Sequence, residues 1–294
     1  MMKTLIRTSA AITIFILLVS FLPADKKPKT SSDNPSLAVI SSKLMDANNI
    51  STWYRNNGSY NRHPQTGNSG FEWPKGSGKF ARYGSGLWIG AVVGDDTLIA
   101  IAEYDYEYLP GYINNNGEPQ GKDDSLYRIY KINKNDVSSY DYVHWPFNQG
   151  AYADSNGKPL LIGDQTMFYS YTDGYPDAHG NNAGSTAPLK AQILQTNWCF
   201  VRNAGPFNDV ILTEYRMINR GNSPWTKCYF ANWTDDDLGD ANDDAVGCDS
   251  TKNIGFTYNY DNNQYGSEDW DLWLQMISDG LIIEKLDEIL LYYR

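Results

Sequence analysis

Leu87-Trp-Ile-Gly-Ala-Val-Val93 and Thr97-Leu-Ile-Ala-Ile-Ala-Glu-Tyr104 are two runs rich in β-branched and aromatic residues, separated by Gly94-Asp95-Asp96. Side chains of this kind fit a pleated, half-buried surface, and a short spacer of glycine and aspartate suits a tight hairpin. Working outward, further β-prone runs fall at 126–132, 165–171, 191–202, 210–219, 226–233 and 254–260, divided by clusters of Gly, Asn, Asp and Pro. In the run at 191–202, Leu194, Thr196, Trp198 and Phe200 alternate with Gln195 and Asn197, the period expected of a half-buried strand. Strands that follow one another without intervening helical patterns pair antiparallel, so the expected fold is mostly β: an antiparallel two-sheet β-sandwich. No internal repeat of fixed period supports a propeller or a solenoid. At the far end, Leu272, Met276, Ile277, Leu281, Ile282, Leu286, Ile289 and Leu290 recur near helical spacing, which predicts a C-terminal amphipathic helix.

The amino terminus has the layout of a secretory signal peptide. Lys3 and Arg7 make a positive start, an apolar run covers 8–22, and Ala24 offers a small residue at the cut. A retained transmembrane anchor is the competing reading. It needs about 20 consecutive apolar residues, whereas this run is shorter and carries Thr8, Ser9, Thr13 and Ser20. The cysteines are Cys199, Cys228 and Cys248, so none stands where an N-terminal lipid anchor would require it. The expected organisation is a signal peptide at 1–24, a charged and Ser-rich spacer at 25–35, a β-rich domain at 36–266 and a tail of different character at 267–294.

A net charge of -11, with Lys and Arg dispersed along the chain, speaks against nucleic acid or an anionic membrane as partner, because both require a basic patch. Cations are the natural small partners. Three cysteines allow at most one bridge. Cys228 and Cys248 flank an acidic segment and make one candidate pair, with three unpaired buried thiols as the alternative.

That acidic segment is the sharpest local feature. It runs Trp233-Thr-Asp-Asp-Asp-Leu-Gly-Asp-Ala-Asn-Asp-Asp-Ala-Val-Gly-Cys-Asp249. Like charges this close repel, and a hard cation that takes 6–8 oxygen ligands relieves the repulsion; outside a cell Ca2+ is the available one. The expected ligands are Asp235, Asp237, Asp240, Asp243 and Asp244. The spacing departs from an EF-hand loop, since the sixth place counted from Asp235 is Asp240 rather than glycine and the twelfth is Val246 rather than glutamate. A solvated acidic turn is the plain alternative.

Other motifs are weaker. Glu103, Asp105 and Glu107 alternate with Tyr104, Tyr106 and Tyr108, so on a strand the carboxylates would share one face, a pattern compatible with glycosidase chemistry but more ordinary as a solvated face over a tyrosine face. The histidines His63, His144 and His179 lack zinc-site spacing, and no G-x-S-x-G elbow is present. Gly76-Ser-Gly and Gly84-Ser-Gly do not complete a phosphate loop and read as turns. Most tryptophans are expected in the core; Trp73-Pro74 and Trp145-Pro146 are the expected surface aromatics, because proline marks loops.

Several strings occur together: Gly67-Asn-Ser-Gly-Phe-Glu-Trp-Pro-Lys-Gly-Ser-Gly78, Ser85-Gly-Leu-Trp-Ile-Gly-Ala91, Ala102-Glu-Tyr104, Pro110-Gly-Tyr-Ile113, Tyr127-Arg-Ile-Tyr-Lys-Ile-Asn133 and the acidic segment. As a set, over about 50–266, they resemble the N-terminal region of large secreted proteins of Bacteroidetes and Ignavibacteria, many of which end in a type IX secretion sorting domain. The resemblance implies export to the cell surface or medium and a β-rich region, and it implies no enzymatic activity. It stops near Ser267, which points to a frameshift or premature stop; a product without the sorting domain would be periplasmic. The functional expectation is therefore a secreted or cell-surface, non-enzymatic protein, calcium-stabilised, with an adhesion or polymer-contact role and with extracellular polysaccharide or cell-surface components as the expected partners. A polysaccharide-binding or polysaccharide-cleaving protein is the alternative.

Overall fold

The structure, a computed structural model, describes residues 38–181, 183–239, 242–252 and 254–259, together with the backbone of Leu290–Tyr293. The expected signal peptide, spacer and most of the 267–294 tail lie outside the described residues, as does Asp240. Seven strands come first: β1 (Ser42–Met45), β2 (Ser51–Arg55), β3 (Ser59–Tyr60), β4 (Phe71–Glu72), β5 (Phe80–Arg82), β6 (Gly84–Val93) and β7 (Asp96–Ile101). Short strands β8 (Leu109–Pro110), β9 (Tyr112–Ile113) and β10 (Pro119–Gln120) precede β11 (Tyr130–Asn133) and the single-turn helix α1 (Tyr140–Val143). Then follow β12 (Gln165–Thr172), β13 (Ala191–Cys199), β14 (Ile211–Asn219), β15 (Trp225–Asp235), β16 (Asp244–Asp249), β17 (Ile254–Asn259) and β18 (Leu290–Tyr293).

All named pairings are antiparallel, and the fold is mostly β and sandwich-like, as the sequence pattern predicts. One sheet runs β15-β6-β3-β2-β4-β5, with β1 beside β2 and β7 beside β6. The other runs β11-β12-β13-β14-β18, with β8 beside β12. The hairpin of β6 and β7 closes through Gly94 and Asp95, with Val93 opposite Asp96. Gly94 supplies the positive φ of +64° that a two-residue turn of this kind demands. The expected helix is reached only at its last residues: Leu290–Tyr293 form a strand paired with Ile211–Glu214, because an open edge of β14 offers backbone partners that a helix would leave unused. Gly84-Ser-Gly86 is likewise the start of β6 rather than a turn.

The main core lies between the two sheets. From the first come Leu87, Ile89 and Ala91 at alternating positions of β6; from the second come Met167, Tyr169 and Tyr171 of β12, with Ile193 of β13. A second cluster covers the opposite face of β12 and β13, where Phe168 and Leu194 pack with Tyr130, Ile132, Tyr142 and Trp145. Both strands are therefore buried throughout. This reverses the half-buried reading of 191–202. Gln195 and Asn197 point into the inter-sheet core, on the same face as Ile193 and Cys199, while Leu194 lies under the segment that follows β11. Burying amides there requires partners. Tyr171 donates to Gln195 Oε1 at 2.8 Å, Gln195 Nε2 donates to Asn197 Oδ1 at 3.0 Å, and Thr213 Oγ1 donates to the same oxygen at 2.8 Å.

Asp141 ties this covering segment to the rest. Its carboxylate takes Lys43 Nζ at 2.5 Å, Arg128 Nη2 at 2.6 Å and the Lys131 N–H at 2.8 Å. Burial acts upward on its pKa, yet the hydrogen bonds from Arg128 and Lys43 outweigh it and hold the carboxyl below the usual range.

Candidate functional site

The acidic segment begins where β15 ends and closes where β16 starts. Asp235 accepts from the Tyr104 hydroxyl at 2.5 Å. Asp236 is occupied by Arg82 Nε at 3.1 Å, by the Thr234 hydroxyl at 2.7 Å and by the Thr257 hydroxyl. Asp237 accepts from Ser69 at 3.3 Å, and both oxygens of Asp244 accept from the Leu238 N–H. Burial and then the charges of Asp235 and Asp236 push Asp237 up; burial, Asp237, Asp236 and Asp243 push Asp244 up to about 6. Asp243 Oδ1 is buried and makes no hydrogen bond among the described residues. Of the five expected ligands, Asp244 feels the charges of Asp237 and Asp243, and Asp237 that of Asp235, whose own carboxylate accepts from Tyr104. Among the described residues no group of three or more His, Cys, Asp or Glu is placed to hold a metal ion.

The expected Cys228–Cys248 pair is not formed. Both thiols are exposed and unbonded, on β15 and β16, which belong to different sheets, and Cys199 alone is buried.

The carboxylates of 103–107 do not share a face. The strand ends at Ile101, the chain bends through an isolated bridge between Ala102 and Tyr106, and Glu107 turns inward to complete burial. There Glu107 Oε1 accepts from the Ser185 N–H at 3.1 Å, and Oε2 from the Ile101 N–H at 3.2 Å. His179 lies between two acids, with Nδ1 3.7 Å from Glu107 and Nε2 2.7 Å from the Asp173 carbonyl oxygen. Asp173 is itself fully buried and caps the N–H groups of Leu189 and Ala191 at 2.6 Å each. Burial raises Glu107, opposed by these backbone donors and by His179. This sealed cluster holds the 173–191 loop in place; a carboxylate with no solvent exposure has no route to a glycosidic bond.

An open groove of about 590 Å³ lies on the second sheet, on the face turned away from the main core. Ser170, Gln192 and Leu194 of β12 and β13 form its floor. One wall is the β9–β10 hairpin, pinned where the Ser170 hydroxyl donates to the Gly111 carbonyl at 2.7 Å. Gly111 is required at that point: its φ is +125°, and a Cβ would lie 1.9 Å from the Gln120 carbonyl oxygen. Tyr112 and Tyr127 stack at the mouth, ring centroids 5.5 Å apart and 22° from parallel. Amides supply the remaining polarity, from Asn114, Asn115, Asn148 and Gln149. Gln149 Nε2 donates to the Leu126 carbonyl at 2.8 Å, which leaves the buried acceptor Oε1 without a hydrogen bond among the described residues. Arg220 closes the end, its Nε donating at 2.8 Å to Gln192 Oε1. Among the described residues no Asp or Glu lines this groove.

The expected surface aromatics are placed differently. Trp145 is buried in the second cluster with its indole N–H on the Tyr152 carbonyl at 2.9 Å, and Trp73 packs on the main core with its N–H on Asp209 at 2.8 Å. Proline marks the loop in both cases, but the preceding indole folds back under it. Sequence reasoning missed the groove because positions 112, 127, 149, 192 and 220 meet only through the sheet; the run Asn114-Asn115-Asn116 was the single local sign of a polar, exposed turn. No protein-family model matches the chain, and neither a curated protein nor a solved structure is significantly similar to it.

Proposed function

We propose that this chain is a secreted or cell-surface, non-enzymatic protein that contacts an extracellular polysaccharide through the groove between Tyr112 and Arg220. The observation that carries the reading is the lining itself: a stacked tyrosine pair, several amides and, among the described residues, no carboxylate. Flat aromatic faces suit the apolar faces of sugar rings, and amides both donate to and accept from hydroxyls. Cleaving a glycosidic bond takes two carboxylic acids astride the scissile oxygen. Their absence from the described lining favours binding over hydrolysis, and so does the burial of Glu107. The signal-like residues at 1–24 and the resemblance to exported Bacteroidetes proteins support the location. Calcium at the acidic turn is the structural part of the same proposal, supported by the pressure of neighbouring carboxylates on Asp237 and Asp244.

The test is a glycan array followed by titration with the best polymer, run beside a reducing-sugar assay. Binding by the native chain, its loss in Tyr112→Ala and the absence of new reducing ends are the expected results. Release of reducing ends would replace the reading with a hydrolase, and binding undiminished in Tyr112→Ala would place the contact elsewhere.

A further inference from the structure

We infer that the groove selects acidic glycans, those bearing uronate carboxylates, and that Arg220 is the residue that selects them. This rests on the proposed polymer contact and goes further by naming the charge of the ligand. The chain as a whole is strongly acidic, with 35 Asp and Glu against 24 Lys and Arg. A random patch on such a surface carries carboxylates. This groove carries none among its lining residues, and its one charged side chain is a guanidinium.

Arg220 is also held as a binding group is held. Its backbone N–H donates to the Lys190 carbonyl at 2.9 Å, and its Nε donates to Gln192 Oε1, an amide 6 % exposed on the sheet floor. Anchoring Nε fixes the plane of the guanidinium and leaves its two terminal nitrogens as a fork, the geometry that matches a planar carboxylate with two parallel hydrogen bonds. Other arginines are spent inside the fold: Arg82 on Asp236, Arg128 on Asp141 and Arg202 on Asp164. Among the described residues no carboxylate pairs with Arg220, although it is exposed at the end of β14. Two further cations are bonded to backbone carbonyls and do not line the groove. Arg216 donates to the Gly150 carbonyl, and Lys190 Nζ donates to the Gly117 carbonyl at 3.3 Å. Glu118, the acid of the hairpin, does not line the groove and accepts from the Asn114 amide at 3.2 Å.

A uronic-acid residue satisfies each of these features at once. Its carboxylate meets the Arg220 fork, its ring lies against the tyrosine pair, and its hydroxyls meet the Asn114, Asn115 and Asn148 amides. The net negative charge of the chain sharpens the selection, because it repels a polyanion that no local cation holds.

The experiment compares polygalacturonate oligomers with their methyl esters, which share the backbone and differ only in charge, by calorimetric titration of the full chain in chelator. A neutral glucan series serves as the third arm. The acid is expected to bind at least roughly tenfold more tightly than the ester, as a charge-assisted bidentate contact warrants, and to weaken as salt rises. Arg220→Gln, at an exposed position checked by an unchanged melting curve, should erase the preference, so that acid and ester bind the variant equally. Arg220→Lys should restore only part of it, since an ammonium lacks the fork. Equal affinity for acid and ester, or a preference that survives Arg220→Gln, overturns the inference while leaving a neutral polymer contact standing. Failure of the acid, the ester and the glucans alike overturns both.

Discussion

Asp141→Asn tests whether the covering segment is held by charge. The substitution keeps the shape of the side chain and its acceptor for the Lys131 N–H, and it removes the charge that faces Lys43 at 2.5 Å and Arg128 at 2.6 Å. Removing one partner of a buried ion pair costs about 3–5 kcal/mol when the remaining charge stays buried. Here Asp141 is 8 % exposed but Lys43 and Arg128 are 32 % and 23 % exposed, so water takes over part of their solvation. The expected loss is therefore about 2–3 kcal/mol, lowering the melting temperature by roughly 4–12 °C for a domain of this size. Urea unfolding at neutral pH reads it. Acid provides the control. The folded pKa of Asp141 lies below its unfolded value, near 3.9 for an ordinary aspartate, so its contribution is complete above that value and disappears as pH falls through the lower folded one. The gap between native chain and variant should close as pH falls below the ordinary aspartate range. A loss below about 1 kcal/mol at pH 7, or a gap that acid does not change, refutes the assignment. Because Arg128 follows Tyr127 and α1 leads into Gln149, the variant should also weaken glycan binding at the groove.

Gly86→Ala should destabilise by about 2 kcal/mol or more, since an ideal Cβ there sits 2.0 Å from the Ala102 carbonyl oxygen and the strand pair must shift to admit it; chemical denaturation measures the loss, and a neutral result would mean the β6–β7 contact is looser than described. At the acidic turn, calcium at a hundredfold excess over its Kd should stabilise by about 2.7 kcal/mol, and Asp237→Asn, Asp244→Asn together should abolish the thermal shift. Without calcium the sign reverses: the raised pKa of Asp244, about 6, means that its contribution is fully present below its unfolded value and is lost as pH rises through about 6. The metal-free double variant should therefore melt higher than the native chain at pH 7, and an equal or lower melting temperature would show that these carboxyls do not strain the turn.

How much of this was legible beforehand depended on the range of the interactions. The hairpin of β6 and β7, the long strands β12 to β15 and β17, and the antiparallel class were legible because propensity, period and turn chemistry act between neighbours in the chain. The short strands β1 to β5 were not, being two to five residues long and polar enough to pass for loops; they exist because β6 and its neighbours offer them partners. The cysteine pairing and the outward tryptophans failed for a related reason, since flanking residues say where a loop is and not which face of it becomes covered.

The sequence by itself determined the elements that stand on local periodicity, the overall acidity and the concentration of aspartates after β15. Only the tertiary structure decided which face of β13 is the core. The segment 130–161 covers Leu194, and so Gln195 and Asn197 are driven into the inter-sheet core, where hydrogen bonds to Tyr171 and Thr213 make their burial tolerable. It also decided that Glu107 is sealed against His179 and that residues as distant as Tyr112 and Arg220 share one groove. Facing, sealing and convergence are set by which distant surface arrives to exclude water, and that is a property of the assembled sheets.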